Sequence, residues 1–224
     1  MLIKNILLYL SFSIYLSSKF TSKNAFDVSK LKIASTTDQI MIVTPFRYTS
    51  SIASFHYYIK KGEEWEEILS SQAYIGRDGL GLHSEDDLKS PIGIFNFTNL
   101  FGIGDNPGTN LPYTKVNDSI YWVSDPKSPK YNKMVNIETF KDFDPAISEH
   151  LIEYPVAYKY AININYNPTG IPGIGSAIFL HCTTNNLYTG GCVSLPEKNL
   201  VKVFKVINEN AVIIIDEAEN IYNY

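Results

Sequence analysis

Two of the 224 residues are cysteines, Cys182 and Cys192, and the second stands where a thiol can do chemistry. It follows Thr189-Gly190-Gly191, precedes Val193-Ser194, and lies eleven positions after His181. A histidine within reach takes the thiol proton and later returns it to a leaving amine. Ser194-Leu195-Pro196-Glu197 has the capping-box pattern, so a helix is expected to start directly after Cys192. Its positive end and free amides would lower the thiol's pKa and favour the reactive anion. Gly190 and Gly191 allow a tight turn whose amides, with that of Cys192, converge as an oxyanion hole requires. Other readings stay open on spacing alone. A buried cysteine is often just a small hydrophobe, and in an oxidising compartment Cys182 and Cys192 can pair across a short loop. His56, His83 and His150 are scattered, and neither Cys-x-x-Cys nor His-Glu-x-x-His occurs, so no metal site and no cofactor are expected.

These residues need a scaffold, and the composition says which kind. Apolar residues make up 45% of the chain and charged ones 19%, enough for one large core. Sixteen tyrosines and twelve phenylalanines against two tryptophans favour strands. A net charge of −4 argues against nucleic acid as a partner, since such binders need a basic surface. Period-two alternation places Phe55, Tyr57 and Ile59 on one strand face, with a Lys60-Lys61-Gly62 turn and a return through Trp65 to Leu69. The clearest strand runs from Tyr158 to Tyr166, and a second, Ser176 to Leu180, ends on His181. Residues 99–140, rich in Gly, Asn, Pro and Asp, read as long loops broken by short strands, where binding surfaces usually lie. One helix is expected from Asp144-Pro145 through Ile147, Leu151 and Ile152. The other follows Ser194 with Leu200, Val201, Phe204 and Ile207 on its apolar face, and Ala211 to Ile215 closes the fold as a strand. At the start, Lys4 followed by a short apolar run to Leu16 reads as a signal peptide, taken as residues 1–25 with an uncertain cleavage site. Residues 26–224 then form one mainly β domain with one or two short helices and no membrane span.

The stretch from His181 to Ser194 resembles the active-site signature of the L,D-transpeptidase (YkuD) catalytic domain family, in which a histidine is followed by Ser/Thr-His-Gly-Cys. Lys89-Ser90-Pro91-Ile92-Gly93-Ile94-Phe95 is similar to that family's Ser/Thr-Pro-x-Gly-x-Phe/Tyr segment, and it too precedes the catalytic motif. Tyr121-Trp122, Tyr131-Asn132 and Tyr166-Asn167 are similar to segments of a secreted bacterial subgroup. The resemblance covers the chain from about residue 40 onward. It implies a mixed β-sandwich fold and a cysteine acyltransferase working on peptidoglycan stem peptides, secreted or associated with the cell wall. Cys192 would be the nucleophile and His181 its general base. The backbone carbonyl of Cys182 would orient the imidazole, and the amides of Gly190, Gly191 and Cys192 would hold the oxyanion. Trp122, Tyr131, Asn132 and Thr189 are the candidates for substrate contact, Thr189 more as a loop-fixing hydroxyl. The sequence departs from the family pattern at Gly190, where the family has a second histidine, at Ser194, where it has Arg or Asn, and in a shorter loop from His181 to Cys192. The same pair would serve a peptidoglycan hydrolase or L,D-carboxypeptidase, and a wall-binding module with the cysteines joined would need neither. Oligomeric state is left open.

Overall fold

The alternating segments form strands, and their sheet closes on itself. The computed structural model describes residues 25–224, so the leader expected at residues 1–25 lies, through residue 24, outside the described residues. In β2 (Ile52–Lys61), Ala53, Phe55 and Tyr57 point inward. β3 (Glu64–Tyr74) returns antiparallel after a turn in which Gly62 takes φ +63°, a conformation other residues reach only at a cost. The remaining long strands are β1 (Gln39–Pro45) and β4 (Gly93–Gly102), with β5 (Tyr113–Lys115) paired to the latter's end. The shorter β9 (Ala161–Ile164), β10 (Phe179–Cys182), β11 (Val193–Leu195) and β12 (Val212–Ile215) complete the sheet. Its order is β12-β1-β2-β3-β11-β10-β9-β4-β5, and β12 pairs with both β1 and β4, which closes the ring.

Inside the ring, Met41, Val43, Phe55, Tyr57, Leu180, Val193 and Leu195 meet the buried face of α1 (Glu197–Val206), the only α-helix among the described residues. Leu200, Val203 and Phe204 form that face. Outside it, a smaller sheet of β6 (Ile120–Trp122), β7 (Met134–Asn136) and β8 (Glu149–His150) covers β10 through a second aromatic cluster, in which Phe101, Trp122, Tyr158 and Phe179 surround Cys192. Segment 99–140 thus holds short strands among loops, as expected.

Three local expectations are corrected. Asp144 does cap a turn, accepting from the amide of Ala146 at 2.9 Å, but the turn is a 3-10 segment of three residues, Pro145–Ile147. The chain then extends into β8 and a second 3-10 turn, Leu151–Glu153, so no α-helix forms there. The strand expected from Tyr158 shrinks to Ala161–Ile164, because Tyr158 sits in a 3-10 turn that places its ring in the aromatic cluster. Ser194 does not cap α1. It lies in β11 opposite His181 and Tyr74, and Pro196 holds the cap position without a side-chain bond. Among the described residues no helix is long and apolar enough to cross a membrane.

Candidate active site

Strand parity puts His181 and Cys192 on one face of the sheet and Cys182 on the other. β10 and β11 run parallel, with Leu180 opposite Val193 and His181 opposite Ser194. Successive side chains alternate across a sheet, so Leu180, Cys182, Val193 and Leu195 face the interior of the ring. Phe179 and Cys192 face the outer cluster, where the Tyr158 ring meets the His181 imidazole edge to face at 5.8 Å. The two cysteines are free and lie in different cores on opposite sides of one sheet. The disulfide alternative is therefore corrected: a bond between them would need one strand to turn over.

Each half of the couple is held by backbone. The Nδ1 of His181 lies 2.9 Å from the carbonyl of Cys182, and since a carbonyl only accepts, Nδ1 carries the proton and Nε2 is left as the basic nitrogen. His181 is 7% exposed, and burial pulls its pKa down to about 4 against the opposing effect of that carbonyl. The Cys192 thiol donates to the carbonyl of Ala177 and accepts from the amide of Phe179, both at 3.2 Å. Burial first, then the nearby Glu149 carboxylate, push it up to about 12 in spite of the Phe179 amide. The expected thiolate at a helix N-terminus is thus corrected. Cys192 precedes a strand, α1 begins at Glu197, and burial keeps both the thiol and the imidazole neutral at rest.

The loop before Cys192 is fixed by two hydroxyls. Thr189 donates to the Cys192 carbonyl at 2.7 Å and accepts from the Gly191 amide at 3.1 Å. Ser90, fully buried, donates to the Gly191 carbonyl at 2.6 Å and accepts from the amide of Gly76 at 3.0 Å. This ties the Lys89–Phe95 segment to the cysteine loop and gives the two motifs a physical link. Of the three amides expected to form the oxyanion hole, that of Gly191 is already bonded to Thr189.

The two glycines differ sharply. A Cβ on Gly191, at φ +149°, would come within 2.8 Å of the Lys89 carbonyl oxygen and 3.1 Å of the Ile178 side chain, whereas one on Gly190 meets nothing within 4 Å. Gly191→Ala is expected to destabilise the fold by about 1–3 kcal/mol, and Gly190→Ala by less than about 0.5 kcal/mol. Thermal unfolding of the two variants checks this.

Trp122, Tyr131 and Asn132, the candidates for substrate contact, are all buried. Trp122 donates its indole N–H to the Asn132 side chain at 2.9 Å and packs on Phe179 at 4.8 Å. Tyr131 donates to the Glu85 carboxylate. Asn132 bonds the backbone of Ala177, Tyr166 and Asn167. They brace the segment that holds the thiol. Sequence reasoning missed Ser90, Glu149 and Tyr158 as neighbours of the site. Ser90 stood inside a quoted motif, whereas nothing in the spacing of the other two placed them near Cys192.

Residues 46–215 match the L,D-transpeptidase catalytic domain family, YkuD. A comparison with curated proteins found no match. Among solved structures, the chain is similar to Bd1075 of Bdellovibrio bacteriovorus, at 16% identity and a TM-score of 0.43 over 82% of this chain and 49% of that one. It is also similar to the helical cell shape determining protein Pgp2 of Campylobacter jejuni, at 16% identity and 0.41 over 82% and 50%. The chain spans about half the length of these structures.

Proposed function

We propose, for a chain that belongs to the L,D-transpeptidase catalytic domain family, that it is a cysteine acyltransferase acting on peptidoglycan stem peptides through Cys192, with His181 as general base. The observation that carries this reading is the shared face: β10 and β11 present both side chains to one cluster, and the Cys182 carbonyl leaves Nε2 of His181 free to take a proton. In the proposed reaction the thiol gives up its bond to the Ala177 carbonyl, its proton passes to Nε2, and sulfur attacks the carbonyl of the third stem residue. The amine of D-alanine leaves with that proton. An amine of a neighbouring stem then resolves the thioester into a cross-link, or water resolves it into a shortened stem. A neutral resting couple suits this order, because charge separates only as the new bond forms. A substrate in the wall requires the enzyme to act outside the cytoplasmic membrane.

Incubation with tetrapeptide muropeptides tests the reading. Release of D-alanine with formation of dimers supports acyl transfer, and release with tripeptide alone supports the L,D-carboxypeptidase form. Purified, folded protein that releases none overturns it.

A further inference from the structure

One half-buried ionisable group near the couple takes no part in that reaction. Glu149, in β8 opposite Trp122, accepts a hydrogen bond from the Tyr158 hydroxyl at 2.6 Å. The ring of that tyrosine packs edge to face on His181 at 5.8 Å and on Phe179 at 5.4 Å, and the Phe179 amide holds the Cys192 sulfur. A chain of contacts therefore runs from the carboxylate through the phenol to both reacting side chains. We infer that Glu149 and Tyr158 form a positioning pair for the couple: the carboxylate fixes the phenol, the phenol fixes the imidazole, and the nearby negative charge favours the imidazolium formed when His181 takes the thiol proton. This rests on the reading of Cys192 and His181 given above.

The charge acts in two directions. Before attack it opposes a free thiolate, and it contributes to the high pKa of Cys192. After attack the negative charge has moved to the substrate oxygen, sulfur is neutral, and the imidazolium is the ion left in the cluster. Glu149 exchanges no proton in this sequence. The S–H bond breaks as Nε2–H forms, and that proton leaves on the amine. The carboxylate is bonded to Tyr158, and the groups within its electrostatic reach are Tyr154 between the two 3-10 turns, Cys192 just before β11 and Glu85 from the loop between β3 and β4. Burial, with a smaller push from Glu85, raises its pKa to about 7 against the Tyr158 bond. Its charge is therefore present above neutrality and absent below.

Glu149→Gln keeps the shape and removes the charge. At about pH 8.5 the variant is expected to show kcat about tenfold below wild type with KM within about twofold, and at about pH 5.5 the two should coincide. Tyr158→Phe should lower kcat at high pH, and adding it to Glu149→Gln should cost little more, as for groups acting as a unit. Alkylation of Cys192 by iodoacetamide should move the other way, faster in Glu149→Gln at high pH. A ratio of kcat values that stays constant with pH, or a variant equal to wild type at about pH 8.5, overturns the pair. Wild-type protein that turns over no muropeptide instead overturns the proposed reaction. Alkylation still judges the pair then, and equal rates in both proteins at high pH sink it.

Discussion

Cys192→Ala should abolish D-alanine release from tetrapeptide muropeptides, a loss of at least about 10³-fold, while the protein stays folded. The thiol supplies the bond that holds the acyl group once D-alanine has left, and alanine has nothing to replace it. The structural cost is small: the residue is 9% exposed, and what it leaves behind are the Phe179 amide without its sulfur acceptor and the Ala177 carbonyl without its thiol donor. With weak sulfur bonds at both, that is about 1–2 kcal/mol. His181→Gln should fall by about 10²- to 10⁴-fold, since an amide nitrogen has no basicity with which to take the thiol proton. Combined with Cys192→Ala it should add nothing further, because a base without its nucleophile has no task. Rates measured alongside thermal unfolding separate this from simple misfolding. Retained activity in Cys192→Ala would remove the thioester reaction altogether.

The candidate couple was legible in the sequence because both of its members sit in short, strongly marked segments. A histidine ends an apolar run, and a cysteine follows paired glycines. Strand parity did the rest, since positions 180 and 182 are inner, while 179, 181 and 192 are outer. Electrostatics was not legible in the same way. The pattern Ser194 to Glu197 looks like a capping box, yet Ser194 is taken by sheet pairing, and three residues of β11 separate Cys192 from Pro196. A dipole acts over roughly one helical turn, so that offset changes a lowered pKa into a raised one. The aromatic residues failed for a related reason. Tyr158 keeps strand alternation with Tyr160 and Ile162, but the backbone turns there, and the pattern cannot tell a ring packed on a sheet face from one packed into a neighbouring cluster. Asn132 is held by residues 166–177, and Trp122 packs on Phe101 and Phe179, all about twenty or more positions away, which no local signal encodes.

Asn132→Ala should be the most destabilising single change near the site. Its side-chain oxygen accepts from the Trp122 indole at 2.9 Å and the Ala177 amide at 3.1 Å, and its nitrogen donates to the carbonyls of Tyr166 and Asn167, each at 2.9 Å. Alanine leaves these groups unpaired in a buried place, and it must also adopt φ +58°, which asparagine tolerates better. At about 1–3 kcal/mol for each buried group left without a partner, and with partial relaxation, the loss should reach about 3–4 kcal/mol, or roughly 10 °C in Tm for a domain of this size. Aspartate keeps the acceptor but loses both donations, and it should fall between the two. The effect should also reach the chemistry, because Ala177, held here by its amide, is the residue whose carbonyl accepts the hydrogen bond of the Cys192 thiol. Alkylation of Cys192 in Asn132→Ala at a temperature below its melting point should therefore be faster than in wild type. If Tm fell while alkylation stayed the same, the brace would support the fold alone and leave the thiol's setting untouched.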